Sequence, residues 1–319
     1  MAGEQGNTLL RAAKNLELTL TKGVTTVRDL GGPNGIATIL KQAVNQQVLK
    51  GPRVVTCNQA ISITGGHFNY AGGREADGPW EMAKAVSEQV TAGAECIKLM
   101  VTGLVNFQTE NAGKVEVARE ELRAAVAEAQ RFNRPVSVHA NGDKGIRLAL
   151  ASGVQTIEHG ALLDEATVAM FVDSPAYWTP TITAFYQMLN YSKEYVVTTL
   201  PKAGLERVYM KHCAMIKAGI EAGIKIITGT DAGALGVQHG DVWQEIALLV
   251  SLGMSPMQAI TAATGQAAKA IGIERDTGVI VPGKCADFVV VKGSPLDNIR
   301  ALRDVIEVYK DGISVYSTI

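Results

Sequence analysis

The chain has 319 residues, 47% of them hydrophobic and 19% charged, with 30 basic against 31 acidic side chains for a net charge of −1. That balance excludes a disordered chain and offers no basic surface for a polyanion, so nucleic acid is not an expected partner. The length suits one large core, because α/β barrels run to about 250 residues as a single domain.

A helical pattern over residues 9–20 comes first. Short segments rich in Val, Ile and Thr then read as strands at 25–29, 53–56, 96–101, 136–140, 156–158, 177–183 and 225–230. Helical stretches such as 117–132 and 205–222 lie between them, with Pro135, Gly153 and Gly223 marking exits into the next strand. Alternating β and α segments predict a parallel sheet with right-handed crossovers, an α/β chain of the (β/α)8 TIM-barrel type. Seven strands are legible where a closed barrel of this type has eight, and the absent one would precede residue 9.

Beyond Ala270 the texture changes. The segments 278–291 and 305–315 read as antiparallel strands, with Asp311-Gly312 as a hairpin turn. The expected division is a barrel over residues 1–272, incomplete at its start, and C-terminal strands over 273–319 that belong to a small β-sandwich and need partner strands. The longest apolar stretches, such as 246–250, fall far short of the roughly 20 residues of a membrane span. No secretory signal opens the chain, so a soluble, cytoplasmic protein without a membrane partner is expected. Cys57, Cys96, Cys213 and Cys285 form no C-x-x-C pair and are expected as reduced thiols.

Four potential metal ligands stand at or near strand ends, where a barrel gathers its chemistry: Lys98, His139, His159 and Asp231. Neutral imidazoles are common metal ligands, and successive strands would bring His139 and His159 together; a lone strand-end histidine is otherwise structural. Lys98, flanked by Ile97, Leu99 and Met100, would lose solvation and favour its neutral amine. Such an amine can form a Schiff base or take up CO2 as a carbamate, unless the side chain snorkels to solvent. Asp231, in Gly229-Thr230-Asp231-Ala232-Gly233, could accept a proton from an activated water and return it to a leaving amine, or serve only as a turn or cap residue.

Taken in order, Thr25 to Gly32, Thr64-Gly65-Gly66-His67, Ile97-Lys98-Leu99-Met100, Val138-His139-Ala140, Thr156-Ile157-Glu158-His159-Gly160, Gly229-Thr230-Asp231-Ala232-Gly233 and Gly283-Lys284-Cys285-Ala286-Asp287 resemble the amidohydrolase superfamily, in its imidazolonepropionase-like and prolidase-like branch. The resemblance implies a (β/α)8 barrel with a β-sandwich from both chain ends, and two divalent metals, usually zinc, at the barrel mouth. It assigns Lys98 as a carboxylated bridging lysine, His139 and His159 as ligands of the second metal, and Asp231 as a ligand of the first metal and proton shuttle. A metal-bound hydroxide is the implied nucleophile, and a small amide or peptide the implied substrate. His67 would donate to the substrate carbonyl or oxyanion, and Tyr186 and His239 would line the substrate pocket. Each has a plainer reading: a loop histidine on backbone, a buried core aromatic, and a helix-start histidine. His212, at helical spacing within 209–215, is expected as a satisfied helix residue.

The family pattern also has a His-x-His pair on its first barrel strand, and none occurs here. A shortened reading frame is the expected explanation, with the first metal site lost, one or no metal held by Lys98, His139 and His159, and hydrolysis of carbon–nitrogen bonds impaired. A homo-oligomer is compatible with this sequence. The alternatives are a Schiff-base, aldolase-type barrel acting through Lys98, and a non-catalytic fragment.

Overall fold

The computed structural model describes residues 2–194 and 201–319. Eleven strands are present among them: β1 Thr26–Asp29, β2 Arg53–Thr56, β3 Ile61–Ser62, β4 Arg74–Glu75, β5 Ile97–Met100, β6 Val136–Ala140, β7 Thr156–His159, β8 Tyr177–Thr179, β9 Phe288–Val291, β10 Val305–Lys310 and β11 Ile313–Ser317. The helices are α1 Ala2–Thr21, α2 Ile36–Asn45, α3 Gly78–Thr91, α4 Arg119–Arg131, α5 Gly142–Ala151, α6 Glu165–Val172, α7 Ile182–Glu194, α8 Lys202–Ala222, α9 Val242–Ser251, α10 Pro256–Ala263 and α11 Gly265–Ala270. None of the described helices is long and apolar enough to cross a membrane.

The strands pair in parallel as β1–β2 and as a six-stranded sheet in the order β4-β3-β5-β6-β7-β8. Glu95 N–H donates to the Thr56 carbonyl at 2.8 Å, so β2 leads into the neighbourhood of β5 and the two sheets continue one another. Alternation divides the central strands into two chemistries. Ile97, Leu99, Val136, Val138, Ile157 and Trp178 pack with helical residues such as Met82, Leu122, Ile146 and Ile216 in the main apolar core. The register puts Lys98 beside Ser137, Ser137 beside Thr156, and His139 beside Glu158, so the opposite, inner face is polar.

Two expected strands are shorter than their sequence pattern. The 177–183 strand stops at Thr179, because Thr181 adopts a φ of +48° and the Glu245 carboxylate of α9 accepts from Ile182 N–H at 3.1 Å and Thr183 N–H at 2.8 Å. Those amides are orphan donors of a helix start, so a partner distant in sequence turns a β-rich segment into α7. The 225–230 strand narrows to a parallel bridge between Trp178 and Ile226, and on its far side Thr228 N–H donates to the Ala262 carbonyl at 3.2 Å. The short strands β3 and β4, unforeseen in the sequence, extend the sheet beside β5.

β1 pairs with β2 alone. Elements adjoining the two ends of the parallel series are linked by Lys22, after α1, and Asp241, before α9, at 2.5 Å. The C-terminal strands form an antiparallel sheet, β11-β10-β9, in which Asp311 and Gly312 at φ of +55° and +78° make the two-residue turn that Asp-Gly favours. Arg53 of β2 binds both Asp287 and Asp311 and fastens this sheet to the barrel strands. Val289, Val290 and Ile313 remain exposed on it.

Candidate active site

Lys98 lies on β5 with 4% of its surface exposed, and its amine makes no hydrogen bond or ion pair with another described residue. Burial is the main force on it and moves its pKa down, towards the neutral amine; Glu158 and Asp231 oppose that, and Arg28 adds to it. His139 on β6 and His159 at the end of β7 have ring centroids 4.7 Å apart, and His67 brings a third imidazole to 4.4 Å from His139. Burial, first, and the neighbouring basic groups hold His139 and His159 far below the ordinary imidazole value, and His67 is lowered to about 4 by burial and Lys98. All three rings are therefore neutral at pH 7. The His67 position follows from its loop, where its own N–H donates to Glu116 at 2.8 Å.

The meeting of His139 and His159 requires a break in the sheet pattern. His159 stands opposite Ala140 in register, one residue beyond the inward-facing Glu158, so regular alternation would turn it to the helical side. Its φ of +67° ends the strand instead, in the left-handed region. Asp231 and Thr181 also have positive φ, at +56° and +48°. Such backbone costs on the order of 1–3 kcal/mol per residue and concentrates where function over-determines geometry. Three strained positions converge on one mouth.

Asp231 is accessible from that mouth, yet enough protein surrounds it that desolvation raises its carboxyl pKa; Lys98 opposes the rise and Glu158 adds to it. Nε2 of His139 has a donor and an acceptor competing for it, the Asn141 amide nitrogen at 3.1 Å and the Gly103 carbonyl at 3.3 Å. The Asn141 amide is oriented by Ala161 N–H, which donates to its oxygen at 3.0 Å. Nδ1 of His159 lies 2.7 Å from the Thr181 hydroxyl.

The structure thus gathers Lys98, His139, His159 and His67, with Asp231 electrostatically coupled to Lys98. Tyr186 and His239 are not part of the ring cluster. Tyr186 packs its ring 6.1 Å from Tyr209, and His239 is half-buried, with burial lowering its pKa. His212 lies in α8, as expected, where its Nε2 meets the Pro180 carbonyl at 2.9 Å, and its fully buried Nδ1 has no hydrogen-bond partner among the described residues.

Sequence reasoning gave no role to the polar layer below the mouth. Arg28 of β1 crosses the interior to Glu158 at 2.9 Å, Ser137 at 2.9 Å and Thr156 at 3.1 Å, and Thr156 donates to Glu158 at 2.5 Å. Both charges are almost wholly buried. Their signal was a charged residue inside each of two β-rich runs, Thr26-Val27-Arg28 and Thr156-Ile157-Glu158.

Among the described residues, no three His, Cys, Asp or Glu side chains come together as a group that could hold a metal ion. The groups that could take part in holding a cation are the two adjacent neutral imidazoles of His139 and His159 and the buried amine of Lys98, which has no hydrogen-bond partner among the described residues.

The chain is 29% identical to ochratoxinase from Aspergillus niger over 331 aligned residues, spanning 95% of this chain and 67% of that protein. A crystal structure of a Xaa-Pro dipeptidase with methionine bound in its active site superposes with a TM-score of 0.88 at 33% identity, covering 97% of this chain and 79% of that one. A prolidase complexed with N-methylphosphonate-L-proline gives 0.87 at 30% identity, over 97% and 79% of the two chains. The amidohydrolase family model matches residues 10–315. A parallel barrel sheet with imidazoles and a buried lysine at its mouth, and a family match over nearly the whole length, establish that this chain belongs to the amidohydrolase family.

Proposed function

We propose that the chain is a metal-dependent hydrolase of a carbon–nitrogen bond in a small amide or dipeptide, with one divalent cation, zinc by preference, held by His139, His159 and Lys98. The cluster of Lys98, His139 and His159, with Asp231 electrostatically coupled to Lys98, carries this reading. The ochratoxinase and Xaa-Pro dipeptidase relatives support it. The cation would supply Lewis acidity to the scissile carbonyl and acidity to the attacking water.

The chain's own groups do the rest. Burial of Lys98 favours its neutral amine, and in that form it can attack CO2 through its lone pair, releasing a proton and leaving a carbamate anion. Asp231, its carboxyl pKa raised by burial, takes the proton of the water and passes it to the departing amine nitrogen. His67, neutral with its pKa near 4, can donate an N–H to the carbonyl oxygen as negative charge develops there.

A panel of dipeptides, Xaa-Pro among them, incubated with concentrated protein tests the proposal. Zinc-stimulated release of amino acid is expected, removed by chelation and by Asp231→Asn. Chelator-insensitive chemistry with a borohydride-trapped adduct on Lys98 would overturn it in favour of the Schiff-base barrel. No turnover with or without zinc would leave the non-catalytic alternative.

A further inference from the structure

The Pro180 carbonyl receives two short contacts, from His212 Nε2 at 2.9 Å and from the Thr181 hydroxyl at 2.8 Å. A carbonyl oxygen can only accept, so each contact is attractive only if the hydrogen lies on the histidine nitrogen and on the threonine oxygen. Threonine has one hydroxyl hydrogen. Once that hydrogen points at Pro180, the Thr181 oxygen can only accept at its third contact, His159 Nδ1 at 2.7 Å. A hydrogen on Nδ1 follows, and a neutral imidazole carries one hydrogen, so Nε2 is left with the lone pair. The reverse assignment would send the threonine hydrogen to Nδ1 and leave two oxygens facing each other at 2.8 Å with nothing between them.

The setting makes this arrangement hard to escape. Thr181 is 4% exposed and His212 fully buried, so water cannot readily substitute for either. Thr181 is β-branched and holds a φ of +48°, a conformation unfavourable for such a residue. Phe185 packs its ring 4.8 Å from that of His212 and holds the far end of the chain of contacts. Trp178 closes the near end, donating its indole N–H to the His159 carbonyl at 2.8 Å.

We propose that Thr181, oriented by the Pro180 carbonyl together with His212, is a positioning residue that fixes His159 as its Nδ1–H tautomer and leaves Nε2 as the ring's free lone pair. What that lone pair meets, a divalent cation, rests on the function proposed above; the tautomer itself does not. Residues from three separate elements, β7, the β8–α7 junction and α8, thus determine which nitrogen of one ring can act as a donor atom.

Long-range proton–nitrogen NMR correlation on the metal-free full chain with labelled histidine tests this directly, His159 being assigned by the loss of its signals in His159→Gln. The wild type and Thr181→Ser are expected to show Nδ1 protonated and Nε2 unprotonated. In Thr181→Val a methyl replaces the accepting oxygen, and a mixture shifted towards the Nε2–H form is expected with near-ultraviolet circular dichroism unchanged. An Nε2–H tautomer in the wild type overturns the proposal, and so does a natively folded Thr181→Val with the wild-type pattern. If that variant fails to fold, the wild-type and serine spectra still decide. A wild type with the expected tautomer and no affinity for zinc would support this inference while refuting the metal-dependent function.

Discussion

Replacing Arg28 by methionine should destabilise the protein by about 3–5 kcal/mol, the cost typical of removing one partner of a buried ion pair. Arg28 binds Glu158 at 2.9 Å, and the two side chains are only 10% and 4% exposed. Without the guanidinium, Glu158 keeps the Thr156 hydroxyl but loses its charge partner, and Ser137 and Thr156 each lose a donor. Because the penalty comes from the stranded carboxylate, removing both charges should be milder: Arg28→Met with Glu158→Met should recover most of the loss. The single variant should also protonate Lys98 more readily, since Arg28 is one of the groups that lowers its pKa and Glu158 one that raises it. Urea unfolding followed by circular dichroism on the two single variants and the double variant completes a mutant cycle. A loss below about 1 kcal/mol for Arg28→Met, or a double variant as unstable as the worse single one, would refute the stranded-charge reasoning.

Acid should weaken the fold through its buried imidazoles. His212 drops from 6.5 to about 4 on burial, so its contribution is complete above pH 6.5 and is lost as the pH falls through 4, up to about 3 kcal/mol. Urea midpoints at pH 7, 5.5 and 4.5 should fall accordingly and fall less in His212→Phe; an identical slope in that variant would argue against this origin. Glu245 has the opposite sign. Its carboxyl rises from 4.5 to about 7, so its stabilisation is present below pH 4.5 and is lost as the pH rises through 7, and Glu245→Gln should remove that fall in the midpoint between pH 4.5 and 7. Gly204→Ala places a methyl 1.7 Å from the Phe107 carbonyl, so either α8 or the 102–116 loop must move. A loss of about 1–3 kcal/mol and faster proteolysis within that loop are expected.

The places of His139 and His159 at or next to the carboxyl ends of β6 and β7 were legible because parallel strands repeat a short apolar pattern whose end is visible in the sequence, whereas Lys98 is the second residue of β5 and Asp231 follows a segment that narrows to a bridge. The Asp311-Gly312 hairpin was legible for a local reason too, since both residues take the left-handed backbone that such a turn requires. Partners that lie far apart in sequence were not. Arg28 reaches Glu158 across the barrel, and nothing in either run announces the other. The early end of β8 depends on Glu245, more than 60 residues away, which overrides a β-rich pattern by capping two amides. His159 shows the limit most sharply. Its residue type and strand were readable, but strict alternation would have turned it away from His139, and only its left-handed backbone brings the two rings to 4.7 Å.

Zinc titration of the metal-free chain by calorimetry, with the stoichiometry confirmed by elemental analysis, tests the central claim most directly. One equivalent per chain is predicted, lost in His139→Ala with His159→Ala and weakened in Lys98→Ala. Two tightly held equivalents, or one retained after both histidines are removed, would contradict the metal-binding role proposed for this cluster.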